Sequence, residues 1–402
     1  MTGNTHVVVI GGGYAGVMAA NRLTRRDDVA VTLIDSRPDF VHRVRLHQLA
    51  GGTGDAVVAY RDVLAERVRL VVGTVARIDA AGHGVALATG GTVGYDYLIY
   101  AVGSGSAEPG VPGAAGFTYP MVTLEAAQRL RAVLDKERTT APVTVVGAGP
   151  TGIEVAAELA EQGRRVTLVC GGVLGPYLHP RGRRSVAKRL AELGTTVVDG
   201  PGTKVTAVSR DTVLLAGGRE LRSDVTIWTA GFGVPDLARR SGLSTDAVGR
   251  LLTDETLTSV DDPRILAAGD SAAPSGLPLR MSCLNALPLG ARVADTVLRR
   301  LAGEPPEHLH QSAYAQCVSL GRRGGIYQFA NRSDVAVWPH IDDRLGARIK
   351  EMVCTTILKH LANEARKPGS FKLHRMPGGV AKRQKLLRAN GIGAPAAGQR
   401  TA

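Results

Sequence analysis

Apolar and polar positions along this chain switch repeatedly between the strand and helix periods, and the switch points define its elements. The continuous run Val7-Val8-Val9-Ile10 reads as a buried strand, and Ala15, Ala19 and Leu23 then recur at helical spacing from about Tyr14 to Arg26. A second run, Val31-Thr32-Leu33-Ile34, follows and stops at Asp35. Loop and helix are expected from Ser36 to Gly52. A β-rich stretch comes next: Val68 to Ile78, Gly84 to Ala88, the Gly90-Gly91 turn, and the buried run Tyr97 to Ala101 that ends at Val102-Gly103. Gly105 to Tyr119, with Pro109, Pro112 and Pro120 around it, has no period and reads as a crossing linker.

The same pattern then returns. Val143-Thr144-Val145-Val146 leads into Gly147-Ala148-Gly149-Pro150-Thr151-Gly152, a helix carries Ile153 to Glu161, and Val166 to Val169 ends at Cys170. Further on, Gly90-Gly91 and Asp96 to Gly103 match Gly217-Gly218 and Asp224 to Gly231. Two unrelated glycine turns would not keep register over such a length, so the chain contains two units of one architecture. After them, Arg264 to Ala268 is a short buried strand that stops at Gly269-Asp270, and a helix is expected from about Pro288 to Leu301, since proline suits an early helix position. The remainder holds a hairpin (Cys317 to Leu320, then Ile326 to Phe329) and a helix from about Arg344 to Arg366. In that helix Leu345, Ile349, Val353, Ile357 and Leu361 recur every fourth residue, with Met352 beside them and Arg348, Lys350, Glu351 and Lys359 elsewhere.

Composition narrows the class. With 402 residues and 44% hydrophobic content the chain can bury sizeable cores, and no charge-free apolar stretch reaches the roughly 18 residues of a membrane span. The first strand begins without a leader, which sets the expectation of a cytoplasmic protein. Four scattered cysteines (Cys170, Cys283, Cys317, Cys354) show neither metal spacing nor a disulfide framework, so no metal site is expected. The net charge of +13 gathers at the end: after Glu364 no acid follows, while Arg366, Lys367, Lys372, Arg375, Lys382, Arg383, Lys385, Arg388 and Arg400 do. A solvated basic tail explains this most simply. Nucleic acid is a weaker reading, because no recognition fold accompanies the charge.

The two glycine stretches carry the chemistry. Each follows a β-branched run and opens a helix, the context that a dinucleotide fingerprint requires, and Asp35 stands about 20 residues after Gly16 to take a ribose diol. Gly11 allows the tight turn, Gly13 the approach of a pyrophosphate to the backbone, and Gly16 close helix-on-strand packing. Gly147, Gly149 and Gly152 repeat these roles, but Cys170 stands where the second acid would be. Without that carboxylate a 2′-phosphate is not repelled, and Arg181, Arg183 and Arg184 follow downstream, so NADPH or dual use is expected beside NADH.

With both fingerprints, Gly103, Gly231 and Gly269-Asp270 in this order, the sequence resembles the two-dinucleotide-binding-domain flavoproteins from roughly Val7 to Leu301. The resemblance implies an α/β fold of two Rossmann-like domains, the second inserted in the first, plus a C-terminal α+β region. Residues 1–115 and 246–305 would form the FAD domain, 116–245 the NAD(P) domain, 306–366 an interface or membrane-associating region, and 367–402 a basic flexible tail. FAD would meet Gly11, Gly13, Tyr14, Ala15, Gly16, Asp35, Ser36, Arg37, Arg45, Val75, Ala101, Gly103, Gly269, Asp270, Ala286 and Leu287. The nicotinamide dinucleotide would meet Gly147, Gly149, Thr151, Gly152, Cys170, Arg181 and Gly231. Glu154 would lie beside the nicotinamide as the catalytic candidate, and Asp270 would bond the flavin ribitol.

Two absences divide that superfamily. Ser36 to Gly52 lacks the C-x-x-x-x-C pair of disulfide reductases, and the linker lacks the Phe-x-Gly-x-x-x-His motif of flavin monooxygenases. What remains is similar to the type II NADH dehydrogenase and apoptosis-inducing-factor-like branch. It implies hydride transfer from NAD(P)H to FAD and then electron transfer to a quinone. The stretch Met281 to Gly290 lacks the glutamines of quinone-reducing members, so a soluble reductase serving a redox protein or small metabolite is the alternative, and a flavin-based redox sensor a third. His42, His47 and Cys283 are lesser candidates near the flavin. A homodimer and an anionic membrane surface, on the inner face, remain among the partners, the latter through the 344–366 helix and the basic tail.

Overall fold

The computed structural model describes residues 4–310, 315–373 and 378–392. The first unit is built on β1 (Thr5–Ile10), α1 (Tyr14–Leu23), β2 (Val29–Asp35), α2 (Leu46–Gly51), β3 (Val68–Val72) and β4 (Tyr97–Tyr100). The second repeats it with β5 (Val143–Val146), α3 (Pro150–Glu161), β6 (Val166–Val169), α4 (Pro180–Glu192), β7 (Thr196–Val198) and β8 (Val225–Trp228). The chain then returns through β9 (Ile265–Ala267) and α5 (Cys283–Leu301), and ends in β10 (Ala315–Ser319), β11 (Gly325–Ala330), β12 (Ala336–Ile341), α6 (Asp343–Arg366) and α7 (Gly379–Ala389).

Both main sheets are parallel. The first has the order β9-β4-β1-β2-β3, and the second runs from an edge strand, Thr118–Pro120, through β8-β5-β6-β7. β9 thus rejoins the first sheet after the whole second unit, pairing Leu266 with Ile99. Continuous apolar runs are what a sheet covered on both faces needs, and Val7, Val8 and Val9 are fully buried. The duplication extends to the connections: each unit inserts a three-stranded antiparallel meander before its last strand, turning at Gly90-Gly91 in one and at Gly217-Gly218 in the other. The expected linker carries a short strand of its own, Gly105–Ser106, which pairs with Phe232–Gly233 where the chain crosses back.

Four local expectations shift. Helix α1 ends at Leu23, before Arg26, because the Thr24 hydroxyl donates to the Asn21 carbonyl and closes the last turn. Helix α5 begins at Cys283, not near Pro288: the Ser282 side chain accepts from the Asn285 N–H and caps it there, leaving Pro288 inside. The C-terminal hairpin gains a third strand, β12, on the far side of β11. The apolar stripe of α6 divides, with Ile357 and Leu361 in the core while Leu345 and Met352 are more than half exposed.

The basic end is anchored in its described part. Glu364 accepts from the N–H groups of Gly369 and Phe371 and pairs with Arg22 at 3.2 Å, while Arg22 also grips Asp295 of α5. Beyond, α7 buries Arg383, which donates to both Glu255 oxygens and to the carbonyls of Pro274 and Leu277. A charge run read as solvated therefore contains one of the most buried side chains in the protein. Lys385 and Arg388 of the same helix stay exposed, and Arg375 and Arg400 lie outside the described residues. Arg383→Ala leaves the Glu255 charge buried without its partner, so unfolding in urea is expected to lose about 3–5 kcal/mol, whereas Lys385→Ala leaves the midpoint near its original value.

Candidate functional site

The fingerprint glycines divide by role. Gly11 and Gly147 have φ of +100° and +110°, and a Cβ on either would strike the strand end opposite, Ala101 in the first unit and Thr229-Ala230 in the second. On Gly16 or Gly152 it would collide with the carbonyl oxygen of Gly11 or Gly147, so these two carry the close packing. A Cβ on Gly13 or Gly149 would meet nothing within 4 Å. The middle glycine of each motif faces open space at the start of α1 or α3, where, among the described residues, no side chain caps the helix and no acid sits in the first turn. Free N–H groups and the positive dipole end there suit a pyrophosphate in both units.

Asp35 is already oriented. Its carboxylate accepts from the Gly12 N–H at 2.7 Å and the Arg37 N–H at 2.9 Å, and the Tyr60 hydroxyl donates to the Gly12 carbonyl above it. Arg37 itself pairs with Glu125, and Ser36 is exposed beside it. Val75 lies inside the core of the first unit. Asp270, in the turn after β9, accepts from the Ser104 hydroxyl at 2.7 Å and the Ser282 N–H at 3.1 Å, joining the end of β4 to the start of α5. Ala101 and Gly103 close that edge, and Ala286 and Leu287 are buried in the first turns of α5. Helix α5 lies hard against α1, since a Cβ on Gly290 would come within 2.9 Å of the Ala15 Cα. These residues fit an FAD: a groove floor without side chains, a ribose acceptor at one end, and a serine–aspartate pair at a helix start at the other.

Sequence reasoning missed Arg43. Its guanidinium stands 3.4 Å from the Ser104 hydroxyl, close to Gly103, while Arg45, expected there, is drawn to Glu351 and Gln48. Arg181 is likewise engaged away from Cys170, its guanidinium lying 5.6 Å over the Trp338 ring. Arg183 donates to the Leu178 carbonyl. Thr151 and Gly231 sit at the helix start and the strand exit of the second unit, where Gly231 has φ +83°.

Glu154 is the centre of a buried polar cluster. Its Oε1 accepts from the Lys350 Nζ at 2.8 Å and the Ser319 N–H at 3.0 Å, and its Oε2 lies 3.6 Å from His47 Nδ1. Burial opposes its charge, but Lys350, with the Ser319 N–H, more than compensates and holds the carboxyl below its ordinary range, while Glu154 raises Lys350 well above its own. The contact with His47 is not an ion pair at neutral pH, because burial pushes that imidazole down to about 4. Cys283, at the first position of α5, borders Lys350, Cys317 and Cys354, and burial pushes its thiol up to about 12. Tyr14 and His42 meet nearby, hydroxyl to Nδ1, at 3.0 Å. Lys350 was legible only as one charge on an amphipathic helix; its inward turn depends on a partner in another unit.

A protein with two parallel dinucleotide-binding units, the second set within the first, and a flavin-type Gly-Asp turn leading into a helix is a flavoprotein oxidoreductase, passing hydride from a nicotinamide dinucleotide to FAD. The comparisons agree. The chain belongs to the pyridine nucleotide-disulphide oxidoreductase family, matched over residues 5–290. It is 32% identical over 356 residues to an NADH dehydrogenase-like protein of Mycobacterium tuberculosis, covering 80% of this chain and 87% of that one. The type II NADH:quinone oxidoreductase Ndh of the same species is 31% identical over 347 residues, covering 75% and 73%. Among solved structures, the sulfide:quinone oxidoreductase of Aquifex aeolicus superposes with a TM-score of 0.77 at 20% identity, covering 96% and 95%.

His42 and His47 give this cluster a pH signature. Both imidazoles are pushed down to about 4 by burial, from 6.5. Between those values only the unfolded chain takes up their protons, so stability is full above the unfolded value and falls with decreasing pH, at about 1.4 kcal/mol per unit for each histidine. Urea midpoints measured from about pH 7 to about pH 5 are expected to show this slope, and His47→Gln to remove about half of it.

Proposed function

We propose that this protein is an NADH:quinone oxidoreductase whose acceptor step uses the Glu154–Lys350 pair. The observation that carries the reading is a salt bridge of 2.8 Å between two side chains only 12% and 10% exposed, placed against the first residue of the flavin-facing helix. FAD, when bound, takes two electrons and a hydrogen from NADH and gives the electrons on. Reducing a quinone to a quinol consumes two electrons and two protons, and the hydride brings only one proton. The second must come from water, through groups that can reach the buried acceptor. Glu154 makes Lys350 hold its proton firmly, so Lys350 gives it only to an acceptor as basic as a two-electron-reduced quinone, and it takes a proton back from water past Glu154 and His47, which stands behind Glu154 on α2. Helix α6 and strand β10 close the cluster from the C-terminal side and keep bulk water out. The similarity to a protein named as a type II NADH:quinone oxidoreductase supports the same acceptor.

Removing one member of the pair would strand a buried charge, so the informative change is the neutral double variant Glu154→Gln/Lys350→Met. In anaerobic stopped-flow, reduction by NADH is expected to stay within about threefold of wild type while reoxidation by a short-chain quinone slows about hundredfold, the usual contribution of a positioned proton donor. Reoxidation at wild-type speed would take the pair out of the acceptor step.

Attachment to an anionic membrane surface is the second part of the reading. Among the described residues no helix is long and apolar enough to cross a membrane. The C-terminal region nevertheless exposes Trp338 at 63%, Leu345 at 55% and Met352 at 60%. Ile357 and Leu361 are spent on the core, so only the first half of α6 is available for an interface. Changing Trp338, Leu345 and Met352 together to serine is expected to cut cosedimentation with phosphatidylglycerol vesicles several-fold and to leave turnover with a water-soluble quinone unchanged. Unaltered cosedimentation would leave the surface to another occupant, such as a second copy of the chain.

A further inference from the structure

The second fingerprint ends its strand β6 on Cys170, where an acid would hold a ribose, and two of the arginines that could have served a 2′-phosphate there are engaged elsewhere, Arg181 on Trp338 and Arg183 on Leu178. The register brings another acid to the same edge. β6 and β7 are parallel, with Val169 opposite Val198, and the Cys170 N–H donates to the Val198 carbonyl at 2.9 Å. One step further, Cys170 and Asp199 leave neighbouring strands side by side, at the strand spacing of about 4.8 Å. Asp199 is exposed, and among the described residues no hydrogen bond or ion pair holds its carboxylate. It is close enough to the Cys170 thiol to help burial push that thiol up to about 12.

The backbone keeps the place clear. Gly171 and Gly172 follow with φ of +64° and +154°, Gly172 has nothing within 4 Å of where a Cβ would stand, and its carbonyl is tied to the Gly200 N–H just past Asp199. In a fold of this kind the adenosine ribose rests at the end of this second strand, and a carboxylate there accepts from its 2′-hydroxyl. We propose that Asp199, reaching across from β7, takes over the duty that Cys170 cannot perform: it accepts from the 2′-hydroxyl of NADH and repels the 2′-phosphate of NADPH, making the protein selective for NADH. This rests on the second unit being the nicotinamide dinucleotide site. It also reverses what Cys170 suggests by itself. Lys204, whose Cα stands 4.0 Å from where a Cβ of Gly171 would lie, gives the opposite preference a residue of its own.

The test compares NADH and NADPH as reductants of the purified holoenzyme, as kcat/KM with a fixed quinone and as the rate of anaerobic flavin bleaching, in wild type, Asp199→Asn, Asp199→Ser and Lys204→Ala. Wild type is expected to favour NADH by about tenfold or more, and both Asp199 variants to raise the NADPH to NADH ratio about tenfold, mainly through KM for NADPH. Because the ratio is taken within one preparation, partial loss of folded enzyme does not disturb it. A wild type that prefers NADPH, a ratio unmoved in both Asp199 variants, or an NADPH preference abolished by Lys204→Ala overturns the proposal. If neither nucleotide bleaches the flavin, the nucleotide reading of the second unit fails and takes the proposal with it.

Discussion

Taking Glu154 and Lys350 out of water costs several kcal/mol for each charge, and only the company of the other, with the Ser319 N–H, makes the burial tolerable. Much else follows from that requirement. Glu154 belongs to the second unit, Lys350 to the C-terminal helix and Ser319 to the C-terminal sheet, so the pair forms only when all three are assembled around the start of α5. An apolar pair of similar volume would hold the elements together as well or better. Retaining two charges where hydrophobic residues would serve points to use in the chemistry more than to stability.

The second constraint is steric. The contacts of Gly16 with Gly11 and of Gly290 with Ala15 bring α1 against its strand and α5 against α1 at distances that no larger residue permits. The starts of α1 and α5 thereby share one groove wall, with Asp35 at one end and the Ser104–Asp270–Ser282 chain at the other. This packing requires glycine at positions far apart in sequence, and two helix dipoles brought to one groove suit a long anionic cofactor.

The duplicated fold was legible because its signals are local: continuous apolar runs, glycines at fixed offsets, and a meander repeated at constant spacing. What the sequence concealed depends on partners distant along the chain. Lys350 looks like any charge on an amphipathic helix until Glu154 is placed opposite, and Arg383 looks like part of a solvated basic run until Glu255 is found across the core from it. Arg43 and Arg45 could not be told apart by position, since a single 3-10 turn decides which of them meets Ser104 and which meets Glu351. The start of α5 was misplaced for a different reason: Pro288 is a strong cue, and the weaker Ser282 cap overrode it.

The two copies of the fingerprint differ in how far they are organised before any ligand arrives. In the first, Asp35 is fixed by two N–H groups and the turn is covered by the Tyr60 hydroxyl, so a ribose meets an acceptor already in position. In the second, the strand ends in Cys170 and two positive-φ glycines, with the exposed Asp199 carboxylate, unheld among the described residues, on the neighbouring strand. A pre-organised site loses little freedom on binding and so holds its ligand tightly, whereas an open one forfeits part of the binding energy in ordering itself and releases more readily. That contrast suits a prosthetic group that must stay through every turnover and a substrate that must leave after each one. The two glycine motifs therefore differ in how far they are organised as much as in chemistry.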